Sequence, residues 1–414
     1  MSAPLCRLCG ASLTHTFVDL GMSPPCERIL AADELEGGET YYPLHVRVCD
    51  ECLLVQLPAC IAPEDIFVDY AYFSSFSDSW VTHARQFVDS AAERLTLGAS
   101  SFVVEVASND GYLLQHVVER GIRALGIEPA VNVAGAAIAK GLPTETTFLG
   151  EKTGIDIADR HGAADLVVAN NVFAHVPDIV DFSKGLRALV AERGRVTIEI
   201  PHLLRLIEGN EYDTIYHEHF SYLSLLTTQR VLATAGLTVV DVEELPSHGG
   251  SLRTWSVPTE HAPEPSVQVQ GTLALEESAG LHTADGHDGF AAKVAAVRND
   301  FVQFLIDRSR DGATVAGYGA PGKGNTLLNH CGVRSDLLSF TVDRNPFKHG
   351  KFLPGTRIPV HPVEHLAMLK PDYIVILPWN LRKEISAQLD YTRSWGAQLV
   401  VPLPHLEIFR AGNT

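Results

Sequence analysis

Two things are scarce in this sequence of 414 residues: long apolar runs and positive charge. No stretch approaches the ~20 consecutive apolar residues that a membrane-spanning helix needs, so no membrane partner is expected. The N-terminus lacks the charged-then-apolar pattern of a secretory leader, and a cytoplasmic location is expected. Lys and Arg total 32 against 50 Asp and Glu, a net charge of −18. A surface that negative repels a phosphate backbone, which argues against nucleic acid as a partner. Internal repeats are absent. Hydrophobic residues make up 46% and charged residues 20%, a globular composition, and the length calls for two or three domains.

The cysteines number seven, and in a reducing compartment metal binding is a better use for them than disulfides. Cys6-Arg7-Leu8-Cys9 and Cys49-Asp50-Glu51-Cys52 form two Cys-x-x-Cys pairs. Each tight turn converges two thiolates on one ion, and two such turns complete a tetrahedral zinc site. Four thiolates leave no position for water, so the zinc is structural. The gap between the pairs is longer than a zinc ribbon needs, so something folds within it. Cys26, Cys60 and Cys331 read as ordinary buried residues.

Residues 101–114 read as a buried strand, a turn at Asn109-Asp110-Gly111 with helix N-cap chemistry, and a helix start. A second strand, 124–127, ends at Glu128. In a doubly wound sheet these strands are neighbours, and an acid ending the second one accepts hydrogen bonds from ribose hydroxyls at the crevice. The first turn lacks Gly-x-Gly-x-x-Gly, and an acidic, glycine-poor turn repels a dinucleotide. It tolerates a nucleoside bearing a sulfonium, which points to S-adenosylmethionine rather than NAD. Further strands are expected at 165–170 and 194–200, with a closing antiparallel pair at 237–242 and 252–257. The aromatic and hydroxyl cluster at 69–77 either packs on the next domain or covers a site.

Titratable groups concentrate at Tyr212-Asp213-Thr214-Ile215-Tyr216-His217-Glu218-His219-Phe220-Ser221-Tyr222. A histidine here can remove a proton near neutrality, a carboxylate can fix its tautomer, and Tyr216 can donate to a developing oxyanion. The competing readings are a His-x-His metal site, which lacks a further ligand, and a solvated helix start. Downstream, 261–302 is helical and interrupted at Asp285-Gly286-His287-Asp288-Gly289. A second strand-loop-helix unit opens at Thr314. Gly317 to Lys323 fits the first seven places of a phosphate-binding loop, but Gly324 stands where Ser or Thr would hold Mg²⁺. Phosphate can be held there; ATP hydrolysis is not expected. Strands ending at Asp343 and near Trp379-Asn380 extend this unit.

In this order, the four cysteines, Val-Glu-Val-Ala-Ser-Asn-Asp-Gly, Tyr-His-Glu-His-Phe and His-Gly-Gly-Ser-Leu-Arg resemble the sugar C-methyltransferases. These are three-domain, zinc-containing enzymes that methylate C-3 of TDP-4-keto-deoxysugars in antibiotic-sugar biosynthesis. The resemblance spans essentially the whole chain. It implies an α/β fold: a class I methyltransferase sheet of Rossmann type, an N-terminal zinc module and a second C-terminal Rossmann-like domain. The expected division is 1–70 zinc module, 71–260 methyltransferase domain, 261–305 helical connector and 306–414 nucleotide-sugar domain. By resemblance Glu105, Asn109, Gly111, Glu128 and Asn171 hold S-adenosylmethionine. His219 is the general base, with Tyr216 and Glu218 beside it and His175 and Tyr72 nearby. Many relatives carry Asp at the place of His217. Lys323 suits a diphosphate, and His248, Arg253 and Asn325 are the other expected substrate contacts. The expected partner is a nucleotide-linked sugar, and the expected assembly a monomer or homodimer. The alternatives are O-methylation of a sugar hydroxyl and a non-catalytic nucleotide-sugar-binding protein.

Overall fold

A computed structural model describes residues 3–61 and 73–412. Two compact units emerge, each assembled from three separate stretches. Unit one comprises Met1–Thr14, Cys49–Leu203 and Phe220–Gly286; unit two comprises His15–Val48, Leu204–His219 and His287–Thr414. Strands β1 (His15–Ser23) and β2 (Tyr42–Val48) pair antiparallel. They fill the long gap between the two cysteine pairs, and they belong to unit two although both cysteine pairs belong to unit one.

In unit one the short strand β3 (Val55–Gln56) pairs with β9 (Ser221–Tyr222). The main sheet has seven strands: β4 (Phe102–Val106), β5 (Arg123–Ile127), β6 (Thr144–Glu145), β7 (Ala164–Asn170), β8 (Val190–Pro201), β10 (Leu237–Leu245) and β11 (Ser251–Pro258). Their order is β10-β11-β8-β7-β4-β5-β6. Those from β4 to β8 run parallel, while β11 is antiparallel to both β8 and β10. The expected closing pair is therefore present. Every residue of β4 is buried, as a strand covered on both faces requires. Helix Asp78–Leu95 supplies part of one cover. Its buried Ala84, Phe87, Val88, Ala91 and Ala92 recur at helical spacing and pack with Val103, Leu113 and Trp255. Losing a buried ring such as Phe87 costs about 3–5 kcal/mol.

One local expectation is corrected here. Neither Asn109 nor Asp110 caps the following helix, which begins at Leu114 with no side-chain cap. Gly111 adopts φ +79°, and a Cβ there would meet Leu142 Cδ1 at 2.1 Å. The chain therefore turns before it coils, and the two side chains point elsewhere. Asn109 Oδ1 accepts the Ser74 N–H at 2.9 Å, and the Asp110 carboxylate accepts from the Ser75 hydroxyl.

Unit two carries a six-stranded sheet: β12 (Val315–Tyr318), β13 (Thr341–Val342), β14 (Val360–His361), β15 (Tyr373–Ile376), β16 (Gln398–Val401) and β17 (Glu407–Phe409). Their order is β14-β13-β12-β15-β16-β17, all parallel except β17. The direction of winding reverses between β12 and β15, where such sheets bind ligands. The stretch expected as a helical connector holds two helices, Val267–Ser278 in unit one and Phe290–Arg310 in unit two, with a turn at Asp285–His287 between them in sequence. The second helix is held to β1 by Phe290, whose ring stacks on Phe17 at 4.6 Å. Among the described residues no helix is long and apolar enough to cross a membrane.

Candidate functional site

The four paired cysteines converge. Their Sγ atoms all lie within 4.8 Å of one another, with Cys6–Cys52 at 3.4 Å and Cys9–Cys49 at 3.5 Å. Zinc–sulfur bonds of about 2.3 Å put tetrahedral thiolates roughly 3.8 Å apart, so the set fits the ion. Gln56 donates from Nε2 to Cys6 Sγ at 3.1 Å, and its Oε1 accepts the Arg7 N–H at 2.9 Å. Such neighbours orient ligands. Of the other cysteines, Cys26 and Cys331 are buried and Cys60 is half-buried.

In unit one the expected cofactor residues gather at the carboxyl ends of β4, β5 and β7. Glu128, directly after β5, accepts the Asn109 N–H on Oε2 and the Ala130 N–H on Oε1, both at 2.9 Å. Two of its lone-pair sites remain for a sugar hydroxyl. Glu105 is buried in β4, and burial, then Glu128 and Asp110, push its carboxyl well above the usual range. Burial likewise raises Glu128. Asn171 sits in the left-handed region at φ +53°. Among the described residues Glu105 Oε2, Ser108 Oγ, Asn170 Oδ1 and both amide atoms of Asn171 are buried with no hydrogen-bond partner. Buried polar atoms left unpaired in this way ask for a ligand. Donors and acceptors at the strand ends, beside two acidic groups, fit an adenosyl sulfonium. Ser74 and Ser75 bond to this turn through Asn109 and Asp110, so the described part of the aromatic loop packs on it. Tyr72 lies outside the described residues.

The reactive cluster belongs to unit two up to His219, whereas Phe220 belongs to unit one, where its N–H donates to the Ala174 carbonyl at 2.8 Å. His175 follows Ala174 in the short helical turn Phe173–His175 of unit one. His219 Nδ1 lies 2.7 Å from the Thr214 carbonyl oxygen. A carbonyl only accepts, so Nδ1 carries the proton and Nε2 of the neutral ring carries the lone pair. The Tyr216 ring lies against His219, centroids 4.0 Å apart. His217 Nε2 donates to the Tyr42 carbonyl at 3.3 Å, and burial lowers the pKa of that imidazole. Glu218 is pushed up to about 8 by burial and then by Glu27. The cluster is no solvated helix start: Tyr212, Asp213 and His217 are buried.

The expected substrate contacts divide between the units. Lys323 Nζ in unit two donates to Asn380 Oδ1 at 3.2 Å and stands 4.8 Å from the Trp379 ring centroid. Asn325 donates to the Cys26 carbonyl at 2.6 Å, and its Oδ1 is buried without a partner among the described residues. In unit one Arg253 is buried and paired with Glu199 at 2.7 Å and Glu243 at 3.4 Å. Burial raises Glu199, but the His83 hydrogen bond and the Arg253 charge outweigh it and hold the carboxyl at about 2. His248 adopts φ +54° and sets its ring edge-on to Trp80. Sequence reasoning passed over Glu211 and the role of Asp213. Burial, then Asp213, pushes Glu211 to about 8. Burial pushes Asp213 to about 6, against Lys323 and the Trp379 Nε1–H, which donates to its Oδ2 at 2.7 Å. Their acidity beside a buried tyrosine was the available signal; Lys323 and Trp379, distant in sequence, were not.

Three stretches match known families: residues 6–67 a zinc binding domain, 80–242 a methyltransferase domain and 246–404 a C-methyltransferase C-terminal domain. The C-methyltransferase NovU of Streptomyces niveus is 37% identical over 409 residues, covering 99% of this chain and 97% of that one. Among solved structures, magnesium protoporphyrin IX methyltransferase from Synechocystis PCC 6803 with bound SAM aligns at 17% identity. It covers 47% of this chain and 88% of its own, with a TM-score of 0.32. A S-adenosylmethionine-dependent methyltransferase from Clostridium acetobutylicum aligns at 11% identity over 43% of this chain and 91% of its own, with a TM-score of 0.35.

Proposed function

This chain belongs to the C-methyltransferase family that includes NovU, a S-adenosylmethionine-dependent group with structural zinc, and from that premise we propose that it methylates a nucleotide-linked 4-keto-deoxysugar at C-3. The carrying observation is the bond between His219 Nδ1 and the Thr214 carbonyl, which leaves the Nε2 lone pair as the base. A ketone at C-4 acidifies the C-3 proton. His219 Nε2 takes that proton, and the electron pair passes into an enediolate whose oxygen accepts a hydrogen bond from Tyr216. Glu218, near 8, keeps its carboxyl proton at neutral pH and is a second donor beside the base.

Glu105, Asn109, Gly111, Glu128 and Asn171 would hold S-adenosylmethionine, which when bound supplies an electrophilic methyl group to the deprotonated carbon. The nucleotide end of the substrate is supported by Lys323, set in a glycine-rich turn at a helix N-terminus. The C-terminal C-methyltransferase match favours carbon over the alternative of O-methylation.

The test offers a TDP-linked 4-keto-deoxysugar with S-adenosylhomocysteine in deuterated water, since exchange at C-3 requires deprotonation but no methyl donor. Wild-type protein is expected to exchange that proton, and His219→Asn to abolish exchange. With S-adenosylmethionine the variant should turn over about 10²–10⁴-fold more slowly while binding both ligands. An active His219→Asn together with a dead His217→Asn would show the base to be His217. Product NMR showing O–CH₃ would overturn carbon transfer.

A further inference from the structure

Arg7 stands between the two cysteines of the first knuckle. The turn is closed by the Gly10 N–H donating to the Cys6 carbonyl at 2.9 Å and the Cys6 N–H to the Ala11 carbonyl at 2.7 Å. Gln56 accepts the Arg7 N–H and donates to Cys6 Sγ, so a metal ligand and this arginine share one amide. The Arg7 side chain leaves the knuckle. One guanidinium nitrogen donates to the Pro177 carbonyl at 2.9 Å and another to the Leu57 carbonyl, while the central carbon lies over the Phe220 ring, 5.5 Å from its centroid. All of these residues belong to unit one. Holding two carbonyls from different stretches of chain over an aromatic face suits the planar fork of arginine and not lysine, a point charge on a flexible stem.

Pro177 belongs to the loop that leads from the carboxyl end of β7 to helix Ile179–Leu189. At the start of that loop Asn171 gives its N–H to the Glu199 carbonyl at 2.8 Å and carries the two buried amide atoms without partners among the described residues. Farther on, the Ala174 carbonyl accepts the Phe220 N–H at 2.8 Å, and the Phe220 carbonyl accepts the Leu57 N–H at 3.0 Å. Arg7 therefore grips the loop twice, directly at Pro177 and through Leu57 and Phe220 at Ala174. His175 and Val176 lie between the two held carbonyls, and Val176 is extended, as a following proline favours. Asp178 then caps the helix by accepting the Asp181 N–H at 2.9 Å. A loop pinned at these points has already lost conformational freedom that a ligand at Asn171 would otherwise have to remove.

We propose that Arg7 is a positioning residue that couples the two sites of unit one: a metal in the knuckle fixes Arg7, Arg7 fixes loop 171–178, and the fixed loop binds S-adenosylmethionine more tightly. The inference rests on the placement of the cofactor at the strand ends proposed above. Coupling of this kind is reciprocal, so an occupied cofactor site tightens zinc by the same factor. The knuckle thereby serves the cofactor site as well as the fold. Arg230 offers the contrast: it holds the other knuckle at the Cys52 carbonyl, but from helix Leu225–Ala233 rather than from the loop.

Zinc affinity of the full-length protein is measured by equilibrium competition with a metal-chelating dye, with and without saturating S-adenosylhomocysteine. The affinity of the zinc-loaded protein for S-adenosylhomocysteine is measured by calorimetry. In wild type, S-adenosylhomocysteine is expected to tighten zinc about fivefold or more. Arg7→Lys, which keeps the charge and loses the fork, should shrink that factor toward unity and weaken S-adenosylhomocysteine to match, with zinc still bound at the wild-type ratio. Arg230→Lys should lower stability in denaturant and leave the factor at its wild-type size. Wild-type zinc affinity indifferent to S-adenosylhomocysteine overturns the proposal, whether or not the variants fold. So does a factor that survives in Arg7→Lys, or one lost equally in Arg230→Lys, which would mark a general loss of stability. The cofactor placement fails separately, if Asn171→Ala binds S-adenosylhomocysteine as wild type does while Arg7→Lys still weakens it.

Discussion

Glu128 has two jobs in the proposed reading: its carboxylate holds the Asn109 and Ala130 N–H groups, and its remaining acceptor sites would take a ribose. The two are separable by substitution. Glu128→Gln retains an acceptor for one N–H but loses the charge, whereas Glu128→Ala frees both N–H groups. Glu128→Ala is expected to weaken S-adenosylhomocysteine by about 1.5–3 kcal/mol, roughly 10- to 100-fold, because hydrogen bonds to a charged acceptor are the strong ones. Glu128→Gln should fall between. Calorimetry giving wild-type affinity for Glu128→Ala would move the ribose away from this strand end. His219 stands differently: in the proposed mechanism the Thr214 backbone carbonyl fixes its tautomer. Glu218, adjacent in sequence and expected beside the base, is raised to about 8 by burial and then by Glu27.

At the scale of elements, the zinc module joins turns that are 40 residues apart. Its core includes Cys6, Leu13, Cys49 and Leu54, which share one buried cluster with the methyltransferase sheet of the same unit. Arg230, from helix Leu225–Ala233, donates to the Cys52 carbonyl at 2.9 Å. Zinc, when bound, would close both knuckle turns, and Arg230 ties the second of them to that helix. Cys49→Ser should lower zinc content from about one ion per chain and bring soluble yield down with it, since structural zinc contributes folding free energy directly. Full occupancy by metal analysis in that variant would remove Cys49 from the site.

For the molecule as a whole, stability should respond to pH through the buried carboxyls of unit two. Glu211, at about 8, binds its proton in the folded state over a range where the unfolded chain, near 4.5, has lost it. Between those values the folded state holds more protons, so this group's contribution is fully present below about 4.5 and is lost as pH rises through about 8. Glu211→Gln cannot ionise. Its stability relative to wild type should climb from pH 5 to pH 8 and then level off, as read by denaturant unfolding at fixed ionic strength. A difference independent of pH would mean that Glu211 is solvated, and one of opposite slope that Lys323 dominates it.

Residues local in sequence were sufficient for the strands around Val104 and Val168, the glycine-forced turn at Gly111 and the two cysteine pairs, because β-branched runs and tight turns are decided by neighbours. The crowding of Tyr216, Glu218 and His219 was visible for the same reason. Tertiary structure alone decided which partners those groups meet. It sends β1 and β2 out of the zinc segment into unit two, and it ends the middle stretch of that unit at His219, one residue before Phe220. It sets Lys323 and Trp379 against Asp213, and it ties Arg253 to Glu199. Proton affinities followed from that placement. Burial raises both Glu211 and Glu199, and partners distant in sequence separate them: Glu211 stays near 8, while His83 and Arg253 hold Glu199 near 2.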